Sequence, residues 1–305
     1  MKVVFLGTGG TIPTERRSPP TLAVRREGEV FLFDCGEGAQ TQIFKARLGI
    51  APIRAILVSH LHGDHVLGIP GLLMTMAQSN RSQPLLVIGP AGVAKWIRHM
   101  GEDLAFHPCF DITVREVEPG PVFVSSQYEI HAFSLEHTGL TLGYRFQEVE
   151  RPGRFRVEEA LRLGVPRGPL WGQLQSGHTV WLEGGKQVYP QQVLGPPRPG
   201  LKMVYAVDSR PCRETVKAAF MADLLIHDGM FLPEDADKAH ARGHSTVTEA
   251  AQVALTAKAR RLVLTHLSPR YRGEENRFLK QACKIFAQTI IAEDLMDIEI
   301  RHGNT

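Results

Sequence analysis

Cysteine is scarce in this chain of 305 residues: there are four, Cys35, Cys109, Cys212 and Cys283, and no two stand in a C-x-x-C spacing. That scarcity argues against a disulfide framework and a cysteine-built metal knot, and for free thiols. Cys35 and Cys212 lie beside chemically rich segments but read as small buried apolar residues. Long apolar runs are also missing, with none near the 18 or so residues a membrane span needs. The start, Met1-Lys2-Val3-Val4-Phe5-Leu6-Gly7, enters an apolar strand without the features of a signal peptide, so a soluble, cytoplasmic chain with no membrane partner is expected. Charge of one sign is lacking too. With 35 Lys and Arg against 32 Asp and Glu, the net charge of +3 leaves only the distribution of charge to point to an acidic partner. At 43% hydrophobic content the chain can bury a large core, and one domain spanning 1–305 with an insertion is the expected organisation.

What is present is concentrated in one segment. Ser59-His60-Leu61-His62-Gly63-Asp64-His65 follows the apolar run Ile56-Leu57-Val58 and gathers imidazoles with a carboxylate. Imidazole nitrogen and carboxylate oxygen are what divalent zinc accepts, and the alternation of His60, His62 and Asp64 lets neighbouring side chains converge on two adjacent ions. Gly63 allows a tight turn there. Further ligands are expected from distant segments at the carboxyl ends of apolar strands. The run 202–207 leads into Asp208-Ser209, and 261–265 leads into His266-Leu267-Ser268. The alternating stretch 128–133 leads to Glu136-His137-Thr138. Singly these are ordinary residues, since a lone histidine is most often a satisfied polar group and an Asp after a strand a turn or cap. Their shared strand-end placement makes them candidates.

Hydrophobic patterning predicts strands at 2–6, 21–26, 29–34, 54–58, 84–88, 111–117, 128–134 and 141–147, with helices at 37–48, 67–79 and 90–101. The second half repeats the alternation, with strands near 202–207, 223–227, 261–265 and 297–301 and helices near 213–221, 246–258 and 274–289. Ser245 ahead of Thr246-Val247-Thr248-Glu249 offers a helix start with an acidic first turn. This mixture suits an α/β architecture of two sheets packed face to face with helices outside, an αββα four-layer sandwich. The stretch 151–200 does not fit it. Its density of proline and glycine reads as an inserted, protruding, flexible arm with a short helix at 157–163. Arg151, Arg154, Arg156, Arg162 and Arg167, interleaved with Phe155 and Trp171, are suited to nucleic-acid phosphates and sugars.

The set His60, His62, Asp64, His65, His137, Asp208 and His266 resembles the metallo-β-lactamase superfamily and its H-x-H-x-D-H signature. The resemblance implies two zinc ions per chain: one held by His60, His62 and His137, the other by Asp64, His65 and His266, with Asp208 bridging. Hydrolysis is the implied reaction class, and the superfamily alone leaves the substrate open. A closer resemblance runs nearly end to end. Phe5 to Gly10, Phe33-Asp34-Cys35-Gly36-Glu37-Gly38, Ser59 to His65 followed by Gly68 to Leu73, Gly168-Pro169, Gly243-His244-Ser245-Thr246 and His266 to Tyr271 look like tRNase Z, the endonuclease that removes the 3′ trailer from precursor tRNA.

That family implies a homodimer in which the arm of one subunit clasps tRNA for the site of the other. It also implies that His244 protonates or stabilises the leaving oxygen, and it makes Asp64 the favoured proton acceptor. Asp228 stands where the family usually has glutamate, one methylene longer, so a shorter reach toward His244 is expected. The loop Pro13-Thr14-Glu15-Arg16-Arg17 resembles the one beside the tRNA acceptor end, which makes Arg16 and Arg17 substrate contacts. Arg270 after His266, and Arg154, Arg156, Arg167, Gly168 and Pro169 in the arm, are further candidates. A small-molecule phosphodiesterase or lactonase would use the same ligands but not the basic arm. A non-catalytic RNA-binding protein would have no need of the full ligand set.

Overall fold

The computed structural model describes residues 1–302. The chain first forms β1 (Lys2–Gly7), β2 (Thr21–Arg26), β3 (Glu29–Phe33), β4 (Ile53–Leu57), β5 (Leu85–Gly89) and β6 (Ile112–Glu116). Next come β7 (Gly120–Val124), β8 (Tyr128–Leu135), β9 (Thr141–Glu148) and a short pair, β10 (Val180–Trp181) and β11 (Gln187–Val188). The last strands are β12 (Lys202–Ala206), β13 (Leu224–Asp228), β14 (Leu262–Thr265), β15 (Thr289–Ile291) and β16 (Asp297–Glu299). Two seven-stranded sheets result, ordered β16-β1-β2-β3-β4-β5-β6 and β15-β14-β13-β12-β9-β8-β7.

The strands are apolar on both faces because both faces are covered. On β3, Val30 and Leu32 join the outer cluster with Ile43, Ile69, Leu72 and Met76 of the helices at Ala39–Lys45 and Gly68–Gln78. Phe31 and Phe33 point the other way, with Phe31 meeting Phe146 at 5.7 Å and Phe33 meeting Tyr144 at 5.8 Å and Tyr205 at 5.7 Å between ring centroids. These aromatic contacts join the two sheets. The second sheet carries the helix Val247–Thr256 on its outer face, where Val247, Ala250, Ala251 and Ala254 pack on Leu225, Leu262 and Leu264. Thr246 caps that helix through a reciprocal pair with Glu249, one residue after the Ser245 start expected from sequence. The expected αββα layering is therefore present.

Some elements differ from expectation. The strand β7 was not anticipated because Pro121 interrupts its apolar run; it lies at the sheet edge and pairs only with β8, where proline is tolerated. The helix expected over 274–289 stops at Cys283, and the β-branched Thr289-Ile290-Ile291 forms β15 beside β14. The helix expected at 67–79 is preceded by a separate turn of helix at Gly63–Val66 that carries Asp64 and His65.

Residues Ser126–Tyr128 and Glu148–Gly200 form a second compact unit. It holds helices Val157–Arg162, Pro169–Gln175 and Pro190–Val193 and the hairpin β10-β11. Ala160, Val165, Leu174, Val180, Val188 and Val193 make its own core. The prolines that read as loop punctuation begin helices instead: Pro169 and Pro190 each occupy a first-turn position, where the missing N–H leaves no bond unmade. Among the described residues, no helix is long and apolar enough to cross a membrane.

Candidate metal centre

The site is assembled at strand ends of the two-sheet unit. Ser59 and His60 follow β4, His137 follows β8, Asp208 follows β12, Asp228 closes β13 and His266 follows β14. Asp34, Asp208 and His266 each take a left-handed backbone, with φ of 58°, 52° and 61°. That conformation is uncommon outside glycine and turns each side chain abruptly off its strand.

Two groups of side chains converge. His60, His62, His137 and Asp208 each offer an atom within 4.8 Å of the others, and so do Asp64, His65 and His266. Asp208 lies between them. Its Oδ2 is 3.6 Å from His60 Nε2 and 3.7 Å from His137 Nε2. Its Oδ1 is 3.4 Å from His65 Nε2 and 3.1 Å from His266 Nε2. Asp64 Oδ2 completes the second group at 3.6 Å from His65 and 3.5 Å from His266. A third grouping of Asp208, Asp228, His244 and His266 meets the same distance test.

Hydrogen bonds fix which nitrogen the His65 and His137 rings present. His65 Nδ1 donates to Asp34 Oδ2 at 2.8 Å, and His137 Nδ1 donates to the Gly243 carbonyl at 2.9 Å. Asp64 Oδ2 accepts from the Thr11 backbone N–H at 2.9 Å. Gly243 has φ of 78°, and a Cβ there would stand 2.6 Å from His137 Nδ1, so close approach as well as backbone conformation calls for glycine. The Nε2 atoms of His60, His65 and His266 and Oδ1 of Asp208 are buried with no hydrogen-bond partner. Each such atom costs about 1–3 kcal/mol if left unmet. A cation taking nitrogen and oxygen ligands meets all of them, so the donor set fits a metal and is of the kind zinc accepts.

Electrostatics agree. Burial pushes the His60 pKa down to about 2, aided by neighbouring His65, and burial also lowers that of His137, leaving both neutral. For His65 and His266 burial acts in the same direction, but it is outweighed by the surrounding carboxylates together, Asp208 with Asp34 at His65 and Asp208 with Asp64 and Asp228 at His266, so both are raised. Burial would raise Asp208, yet His266 and His65 hold it well below the usual carboxylate range. Burial likewise opposes ionisation of Asp64, which neighbouring His266 and His65 hold below that range. A buried carboxylate, Asp208, and a half-buried one, Asp64, thus remain ionised and call for positive charge.

Beside the ligands, His244 stacks on His266 with centroids 5.4 Å apart and stands 5.0 Å from His137. His244 Nδ1 lies 2.7 Å from Asp228 Oδ2, so the shorter carboxylate does reach the ring. The candidate arginines divide. Arg17 turns inward, donating to Thr8 Oγ1 at 2.7 Å and the Ala292 carbonyl at 2.6 Å, so it braces its loop. Arg16 is exposed. Arg270 is exposed, 4.0 Å from Asp235 Oδ2. Arg154, Arg156, Arg167, Gly168 and Pro169 belong to the second unit, where Arg167 lies 5.7 Å over the Trp171 ring. Asp34 and Ser59 were not recognised as site residues from sequence, although Asp34 ends its strand as the ligands do.

A family model described as the anti-Pycsar protein Apyc1 matches residues 1–139. Ribonuclease Z of Methanosarcina acetivorans is 46% identical over 300 residues, covering 98% of this chain and 98% of that protein. Among solved structures, the short form of human tRNase Z superposes with a TM-score of 0.71 at 30% identity, covering 99% of this chain and 100% of that one. A metallo-β-lactamase fold protein of Bacillus subtilis, 18% identical, has a TM-score of 0.68 over 97% of this chain and 98% of its own, a likeness of fold alone.

Proposed function

The chain belongs to the ribonuclease Z family and has the metallo-β-lactamase fold, and from that premise we propose that it is a two-zinc endoribonuclease that removes the 3′ trailer from precursor tRNA. The cut falls after the discriminator nucleotide, leaving a 3′-hydroxyl on the tRNA and a 5′-phosphate on the trailer. The observation that carries this reading is the convergence of seven His and Asp side chains, among which His60, His65, Asp208 and His266 bring buried atoms that lack partners.

His60, His62 and His137 would hold one ion and Asp64, His65 and His266 the other, with the two oxygens of Asp208 serving both groups. When bound, the zinc pair supplies a water-derived nucleophile near neutral pH and offsets charge developing on the phosphorus oxygens. Asp64, oriented by the Thr11 N–H, is placed to accept a proton from the attacking water. In this reading His244 stands outside the two ligand groups, and its Nδ1 donates to Asp228 Oδ2. The other oxygen of Asp228 accepts the Met230 N–H at 2.8 Å. With Nδ1 donating to Asp228, the proton on Nε2 is the one His244 gives to the departing ribose 3′-oxygen.

The arm, with Arg154, Arg156, Arg167 and the Gly168-Pro169 turn, holds the tRNA body, while Arg16 and Arg270 meet phosphates near the cut. A homodimer in which the arm of each subunit serves its partner's site, working in the cytoplasm, completes the reading. The test is incubation of purified protein with a 3′-extended precursor tRNA and mapping of both new ends. A single cut one nucleotide beyond the acceptor stem supports the proposal; cuts elsewhere, or none with zinc bound, sink it.

A further inference from the structure

Behind the metal centre a tyrosine links the two sheets. Tyr205 lies on β12, the strand that leads to Asp208, and its hydroxyl donates to Asp34 Oδ2 at 2.9 Å on the opposite sheet. Asp34 is a hub. Its Oδ1 accepts from the Ser59 backbone at 2.7 Å, and its Oδ2 accepts from Ser59 Oγ at 2.9 Å and from His65 Nδ1 at 2.8 Å. Because the Ser59 hydroxyl proton is directed to Asp34, the Ser59 oxygen is free to accept from His60 Nδ1 at 3.0 Å. Both Nδ1 atoms are thereby engaged, His65 by Asp34 and His60 by Ser59, which turns each Nε2 toward Asp208, where it lies unpartnered. Burial and the Asp34 charge push the Tyr205 pKa well up, so its hydroxyl stays a donor. Among the described donors to Asp34, Ser59 follows β4 of the same sheet, His65 lies on the short helix after it, and Tyr205 comes from the other sheet.

We propose that Tyr205 is a positioning residue for the metal centre, tying the strand that carries Asp208 to the Asp34 hub that orients His65 and, through Ser59, His60. The proposal rests on the reading of these histidines as zinc ligands. Carboxylates that fix a ligating imidazole act on metal affinity, and losing such a partner weakens binding by roughly 10–100-fold. The hydroxyl of Tyr205 acts one bond further out, yet it sets where Asp34 stands relative to Asp208.

The test uses the full chain, freed of metal by chelation, and titrates zinc against a chromophoric chelator while recording the melting temperature of the metal-free form. Tyr205→Phe keeps the ring against Phe33 and removes only the hydroxyl. Tyr144→Phe is the matched control, since that buried hydroxyl also crosses between sheets but donates to the Val58 carbonyl at 2.6 Å. Both variants should melt a few degrees lower without metal, while Tyr205→Phe alone binds zinc roughly tenfold more weakly. Ser59→Ala, which cuts the branch to His60, should weaken zinc in the same way but less. Zinc affinity equal to wild type in Tyr205→Phe and Ser59→Ala, or an equal loss in Tyr144→Phe, overturns the proposal. A wild-type chain that binds no zinc overturns the metal reading itself, a distinct result.

Discussion

Replacing Asp228 by Asn is expected to remove the leaving-group proton while leaving the metal ligands in place. Asp228 is fully buried and His244 nearly so, with 2.7 Å between Oδ2 and Nδ1. The Met230 N–H needs an acceptor at Oδ1, so the new amide nitrogen falls at the Oδ2 position, where it faces His244 Nδ1 and the Ser209 N–H. His244 then has to accept at Nδ1, which leaves it a neutral ring whose Nε2 proton can depart only as imidazolate forms. Loss of one charge-assisted hydrogen bond is worth about 1.5–3 kcal/mol, or roughly 10–150-fold in rate, and loss of a general acid about 10²–10⁴-fold. The overlap places the expected fall in kcat at about 100-fold. KM and zinc content should stay near wild type. The assay is single-turnover cleavage of 3′-extended precursor tRNA beside hydrolysis of bis(p-nitrophenyl) phosphate, whose nitrophenolate leaves without a proton. Only the tRNA reaction should suffer the full loss. Equal losses on both substrates, or zinc lost along with activity, would refute the assignment of His244 as the acid and make it a ligand.

Asp208→Ala should abolish activity and lower the metal content of the chain toward none, because its two oxygens face separate groups of candidate ligands; elemental analysis decides this. Zinc affinity should rise with pH by roughly tenfold per unit for each proton displaced. His65 and His266 have raised folded pKa values, so their protons contribute stability to the metal-free chain that is fully present below about pH 6.5 and lost as pH rises through the folded values. Calorimetry in buffers of different ionisation enthalpy should record proton release on zinc binding, and none would contradict that protonation. Replacing 152–197 with a short linker, feasible because Arg151 and Arg198 are bridged, should weaken precursor tRNA binding and its salt dependence while hydrolysis of bis(p-nitrophenyl) phosphate survives. Undiminished tRNA cleavage would remove the arm from the binding reading. The cut has to take nearly the whole arm, since Val188 and Val193 belong to its core.

The residues that converge at the candidate centre were legible because metal-binding side chains are local in type and spacing: His60 to His65 lie within one turn and strand end, and the others follow apolar runs. The layered fold was legible because strands covered on both faces carry unbroken apolar residues, as β3 and β12 do. Less visible were elements whose pattern is set by neighbours. The edge position of β7 excuses Pro121, and β15 is a strand because β14 lies beside it. In the arm, composition spoke of loops, while Pro169 and Pro190 start helices around a small core.

By itself, then, the order of residues determined which groups are available: the histidines and aspartates at strand ends, the basic stretch at 151–167, and the apolar runs that must be buried. Only the tertiary structure decided how they face one another. It gave each oxygen of Asp208 a different set of partners, brought Asp228 within reach of His244 despite its shorter side chain, turned Arg17 inward, and set the Tyr205 hydroxyl against Asp34. The physical reason is one of range. Ligand chemistry and hydrophobic period are properties of a few consecutive residues, whereas a contact of 2.9 Å between Tyr205 on one sheet and Asp34 at a strand end of the other depends on the packing of two sheets across a shared core.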